Sequence, residues 1–204
     1  MKTKILAGAL CAVVIASAAL GVLYLKGSGE NLPGLRKSVA DIVQANLGAH
    51  YLYGGEGDIP NGEVVRDNDV TLENHTAYDT RTGWYCSAGP PCENIRHFDC
   101  SGLFYYAVTK SGVNMGSLRT VEDLYGASIK LSSESDLKKG DLVFIYKKQT
   151  DNWHVGIYVG DGYIVQAQGA SAHVVKWTLT EWNQYYSDTS KYEMMYGDLL
   201  SSIA

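Results

Sequence analysis

Between His154 and Gln168 the chain reads HVGIYVGDGYIVQAQ, two alternating runs around a glycine-rich turn, and this pattern restricts the possible folds more than any other stretch. Side chains on a strand alternate between faces, so a hairpin here buries either the valines or the glutamines. With Gly160-Asp161-Gly162 as a three-residue loop, Val159 faces Tyr163 and Gly156 faces Gln166. One face then carries Val155, Ile157, Val159, Tyr163, Val165 and Ala167, and the other His154, Gly156, Tyr158, Ile164, Gln166 and Gln168. A two-residue Asp161-Gly162 turn would shift every pair by one and drive both glutamines among the valines, so the apolar pattern favours the longer loop. In that register Gln166 is diagonal to His154 and Gln168 lies opposite it, and either amide can orient the imidazole. Gly156 leaves the space between them open.

The elements around this hairpin indicate an α+β fold. Pro33 can open a helix carrying Leu35, Val39, Ile42, Val43 and Leu47 on one face, stopped by Gly48. A second helix places Leu103, Phe104, Ala107 and Val108 on one face with Cys100, with Asp99 as N-cap and Gly112 at its end. Asp141 to Tyr146, His173 to Leu179 and Tyr192 to Tyr196 read as further strands. Helices first and hairpin-linked strands afterwards predict the Cys100 helix packed on a largely antiparallel sheet. Residues 56–97 are polar and aperiodic, and read as a long irregular insertion in a domain spanning 32–204.

Lys2 and Lys4 precede an apolar and small-residue run from Ile5 to Leu25. A helix of that length, roughly 31 Å at ~1.5 Å per residue, can cross a bilayer. The expectation for residues 1–26 is an uncleaved signal-anchor, with a signal cleaved near Ala16 to Ala19 as the alternative, and residues 27–31 form a linker. Both readings place the domain outside the cytoplasm, and the anchor would tie it to the membrane. With 17 basic and 22 acidic residues, net charge −5 and no basic stripe, nucleic acid is excluded as a partner. The expected state is a monomer.

An oxidising compartment bears on the cysteines. Cys86 and Cys92 bracket the loop CSAGPPC, whose turn residues can bring them within disulfide range. That pairing leaves Cys100 over, and a free thiol outside the cell needs a reason. The first turn of a helix supplies unpaired N–H groups and the positive end of the dipole, which can lower a thiol from ~8.5 to between ~3.5 and 7.5. Cys100 is therefore expected to be an ionised nucleophile, with small neighbours Ser101 and Gly102 letting a substrate carbonyl approach the same amides. Of His50, His75, His97, His154 and His173, the one sharing a polar face with Gln166 is His154. The plainer alternatives are a buried structural thiol, a core histidine, Tyr51 merely packing on the sheet, and Asp99 acting only as a cap. A zinc set of Cys86, Cys92, His97 and Cys100 has a first gap longer than the usual finger spacing, so no metal or other cofactor is expected.

DCSGLFYYAV, SLRT, KKGDLVFI and HVGIYVGDGYIVQA, in that order and preceded by GAHYLYGG, resemble the NlpC/P60 cysteine peptidases, a branch of the papain-like fold. The resemblance implies Cys100 as nucleophile, His154 as general base and acid, and Gln166 as orienter where relatives often have histidine. It also implies Tyr51 near the reacting carbonyl, although Tyr51 and Cys100 are separated here by the insertion, where similar proteins have about a dozen residues. Tyr51, Ser101 and Asp99 are the expected oxyanion- and substrate-binding residues. The implied activity is hydrolysis of peptidoglycan stem peptides, commonly between γ-D-glutamate and a diamino acid, through an acyl-enzyme and without a metal. The alternatives are a related Cys-His amidase or acyltransferase and a catalytically silent wall-binding module.

Overall fold

The computed structural model describes residues 31–58, 78–79, 84–85 and 95–204. The N-terminal segment, most of the linker, His75 and the Cys86–Cys92 pair lie outside the described residues. In chain order the elements are α1 (Leu32–Ala45), β1 (His50–Tyr51), β2 (Glu56–Asp58), β3 (Tyr78–Asp79), β4 (Trp84–Tyr85), β5 (His97–Phe98), α2 (Cys100–Lys110), α3 (Val121–Ala127) and β6 (Ile129–Leu131). They continue with β7 (Leu142–Lys147), β8 (Asn152–Gly160), β9 (Tyr163–Gln168), β10 (His173–Thr178), α4 (Leu179–Tyr185), β11 (Tyr192–Asp198) and α5 (Leu200–Ile203).

Among the described residues, nine strands form one sheet in the order β2-β5-β1-β10-β9-β8-β7-β11-β6, and β3 pairs with β4 separately. Among the described strands of this sheet only β1 and β5 pair in parallel, so the sheet is largely antiparallel as the sequence predicts. The stretch read as wholly irregular begins and ends in this sheet, because Glu56 pairs with Phe98 and Asp58 with His97.

The central hairpin satisfies both constraints that the sequence sets against each other. Ile157 faces Val165 and Tyr158 faces Ile164, the register the apolar pattern demands. The loop differs from expectation: Gly160 pairs with Tyr163 across a two-residue Asp161-Gly162 turn, and a bulge between Tyr158 and Gly160 absorbs the shift. Both turn residues have positive φ, 55° and 77°, as the twist-matched two-residue turn requires. The bulge lets a tight turn close without exposing the valines.

Each face of the sheet has its own core. Val155, Ile157, Val165, Ala167 and Phe144 pack with Val39 and Val43 of α1 and Leu103, Phe104 and Ala107 of α2. Val143, Ile145 and Ile164 point the other way, under Trp182 and Tyr186. α4 was not read from the sequence, although Thr178 and Glu181 form a capping box at its start.

A buried ionic cluster ties the first helix to the sheet. Arg36 of α1 donates to Asp141 Oδ1 and to Asp198 Oδ2, both at 2.5 Å, and Asp198 also accepts from Ser201. Removing the cation leaves two buried carboxylates without their counter-charge, a strongly destabilising change. Arg36→Ala is expected to lower the unfolding free energy of the full chain by about 3–5 kcal/mol in urea denaturation, and an unchanged midpoint would contradict this role.

Candidate active site

The site forms where α2 begins against the end of the central hairpin. Asp99 caps α2: its Oδ1 accepts from the Gly102 amide at 2.6 Å and the Ser101 hydroxyl at 3.1 Å, and its Oδ2 from the Gly54 amide at 2.8 Å. The carboxylate is thus engaged in joining the β1–β2 loop to the helix, which is the capping role. Gly102 has to be glycine because a Cβ there would fall on the Gly55 carbonyl oxygen. Its smallness serves this backbone crossing, whereas the sequence had assigned it to substrate approach.

These contacts set Cys100 in the first turn of α2, 9% exposed, on the wall of a cleft of about 800 Å³. His154, Gln168, Tyr51 and Tyr186 line the same cleft. The thiol comes from the helical layer and the imidazole from the opposite face of the sheet. Both line one cleft, which brings the thiol and the imidazole to the same opening.

His154 is oriented by Gln166. Its Nε2 lies 2.6 Å from Gln166 Oε1, and an amide oxygen can only accept, so Nε2 carries the proton and Nδ1 keeps its lone pair. Gln166 is fully buried, and of the two glutamines it is the one that holds the ring. The space above Gly156 is filled, contrary to expectation, by Trp182, whose ring carbons would lie 2.8 Å from a Cβ there. Trp182 stacks on His154 at 5.8 Å with 19° between planes, and Tyr186 lies 6.3 Å from the imidazole. Both residues were missed in the sequence; the overlooked signal was the capping box that starts α4.

Burial governs the charges. It pushes the Cys100 thiol up to about 12, with the nearby Asp99 charge adding to the rise, against the opposing amides of Val155, Ser101 and Cys100 itself. Burial pushes His154 down to about 4, aided by the charge of Lys147 and opposed by the bond to Gln166. The expected thiolate is therefore corrected to a neutral thiol beside a neutral imidazole: desolvation outweighs one helix terminus. Tyr51 is also raised, by burial first and then by Cys100 and Asp99, so its phenol remains a hydrogen-bond donor. Of the alternative zinc set, Cys86 and Cys92 lie outside the described residues, and His97 is buried in β5 with its ring 5.3 Å from that of His50.

Residues 82–200, more than half of the chain, match the family model described as the NlpC/P60 family. The chain belongs to the NlpC/P60 family. This NlpC/P60 chain is 43% identical over 67 residues to the peptidoglycan DL-endopeptidase CwlO of Bacillus licheniformis, covering 33% of the chain and 14% of that protein. It is 38% identical over 93 residues to the murein DD-endopeptidase MepH of Escherichia coli, covering 44% of the chain and 34% of that protein. The chain thus spans only a minor part of the curated relatives it matches. Among solved structures, the peptidoglycan hydrolase RipB of Mycobacterium tuberculosis aligns with a TM-score of 0.52 at 21% identity, covering 83% of this chain and 66% of that one. RipD of the same organism, described as a non-catalytic NlpC/p60 domain protein adapted to peptidoglycan binding, aligns at 0.50 with 19% identity, covering 81% and 97%. At these identities the structural matches establish the α+β papain-like fold alone.

The two shifts have opposite consequences for stability. His154 falls from 6.5 to about 4 on folding, so its contribution is full above 6.5 and is lost as pH falls toward 4. Cys100 rises from 9.0 to about 12, so its contribution is full below 9 and is lost as pH rises toward 12. The full chain should show a stability plateau between these limits, with His154→Gln flattening the acid side and Cys100→Ala the alkaline side in unfolding titrations. Iodoacetamide should modify Cys100 more slowly at pH 7 than it modifies free cysteine. Rapid modification with an inflection below pH 7 would contradict the burial argument.

Proposed function

We propose that this chain is an extracytoplasmic cysteine endopeptidase that hydrolyses peptidoglycan stem peptides at the bond between γ-D-glutamate and a diamino acid. One arrangement carries the reading: a thiol at an amide-rich helix start shares a cleft with an imidazole whose Nε2–H is held by Gln166, leaving Nδ1 as the available base. Family membership supports the reaction class, and the names of the curated relatives support the substrate. The charged N-terminus and apolar run support export and membrane tethering.

In the proposed reaction the Cys100 sulfur bonds to the γ-glutamyl carbonyl carbon as its proton passes to His154 Nδ1. A neutral pair makes this a general-base step, with the thiolate forming only as it attacks. The helix-start amides and the Tyr51 hydroxyl stabilise the oxyanion. Collapse breaks the C–N bond, and the imidazolium returns its proton to the departing amine. Water, deprotonated by His154, then cleaves the thioester and regenerates the thiol. RipD indicates that the fold can exist without catalysis. Cys100, His154 and Gln166 in one constellation favour the enzyme over a silent wall-binding module.

Mass analysis of peptidoglycan fragments incubated with the full chain tests the proposal. The wild type should release products with a new diamino-acid amine, and Cys100→Ala should release none. Binding by both proteins without products would establish the silent module. Products cut at another amide or at a lipid ester would establish the amidase or acyltransferase reading. His154→Ala and Gln166→Ala should each lower kcat by about 10²–10⁴-fold if proton transfer at the imidazole carries the rate. Gln166 Nε2 has no acceptor among the described residues, so Gln166→Glu forfeits no bond there. Its carboxylate should move the acidic limb of the kcat/KM profile upward by favouring the imidazolium.

A further inference from the structure

Beyond His154 the cleft contains a row of hydrogen-bond donors that the chemistry above does not use. Lys147 of β7 is paired in register with Asn152 of β8 and with Tyr192 of β11. Directly opposed residues on neighbouring strands point to the same face, so an ammonium, an amide and a phenol stand side by side. All three line the cleft. Among the described residues, no acceptor engages Lys147 Nζ, Asn152 Nδ2 or Tyr192 Oη, and no carboxylate pairs with Lys147. The other cleft cation, Arg119, is already paired with Glu56 at 3.0 Å.

The order along β8 gives this row its place relative to the reaction. The imidazole stands at His154 and the donor row begins two residues before it on β8, at Asn152, while the Cys100 thiol lines the same cleft from the start of α2. Ile145 pairs with His154 as Lys147 pairs with Asn152, so the row and the imidazole share one face, one pleat repeat or about 6.7 Å apart. The charge of Lys147 is felt at the ring, where it disfavours protonation. A group that gives its proton to a leaving amine stands on the amine side of the scissile bond, so whatever lies beyond it meets the amine half of the substrate.

We propose that Lys147, with Asn152 and Tyr192, forms a carboxylate-binding subsite for the amine-side residue of the cleaved bond. The inference rests on the peptidase reading for the identity of that residue. A diamino acid can present the carboxylate from two sources: the far end of its side chain, as in diaminopimelate but not lysine, or its own main-chain terminus. The row would also repel a lysine side-chain ammonium, which adds rejection to recognition.

The test is calorimetry on the full chain carrying Cys100→Ala, titrated with four L-Ala-γ-D-Glu tripeptides. These end in diaminopimelate or lysine, each with a free or an amidated main-chain carboxylate. Loss of the relevant carboxylate should weaken binding about tenfold or more, and adding Lys147→Met should abolish that difference. Dependence on the side-chain carboxylate assigns the first source, and dependence on the terminus the second. Tyr192→Phe should reduce the difference partially. Lys148→Met, which removes the same charge at an exposed neighbour bonded to Thr189, should leave it intact. Equal affinities for all four peptides, no binding of any of them, or the same selectivity in Lys147→Met overturns the subsite. Cleavage assays with the wild type separate the two claims. Turnover without Lys147-dependent selectivity sinks the subsite alone, and selectivity without turnover sinks the peptidase reading alone.

Discussion

The carboxylate of Asp99 is the contact on which the rest of the site depends. It accepts from Gly102, Ser101 and Gly54, and so fixes the start of α2 to the loop that follows Tyr51. The Gly102–Gly55 crossing allows no Cβ, so the joint is held by shape as well as by hydrogen bonds. Cys100 is placed by this joint and Tyr51 is carried on its other side. The imidazole arrives independently, on a hairpin whose register is set by buried valines. Two distant stretches of sequence, packed in one core, therefore meet at one cleft.

The electrostatic consequence runs against the usual picture of a helix terminus activating a thiol. Partial charges at a helix start act over one turn, whereas desolvation acts on the whole ionised group. With Cys100 almost entirely covered, burial wins at the sulfur, and with Trp182 stacked on one side it wins at the imidazole too. The pair rests uncharged. In the proposed mechanism charge appears only as the sulfur attacks, where the helix amides are already aimed.

Much of this was legible in the sequence because it depends on local rules. The Cys100 helix, its Asp99 cap and the five principal strands follow from periodicity and capping, and the valine face selects the hairpin register. The turn was misread because a bulge can reconcile a tight turn with a fixed register, and alternation alone cannot show an extra residue. The choice of Gln166 over Gln168 needed the actual ring position. Trp182 and Tyr186 escaped because α4 comes from a distant part of the chain and packs on the side opposite α2, so no local spacing connects them with His154. The thiol's ionisation escaped for a related reason: local sequence names the helix dipole but not the depth of burial.

The tautomer of His154 tests the central claim most directly. In ¹⁵N NMR of the full chain at pH 7, with His154 assigned by comparison with His154→Gln, a neutral ring should appear, protonated at Nε2 and carrying its lone pair on Nδ1. A doubly protonated ring at that pH, or a neutral ring protonated at Nδ1, would contradict the account.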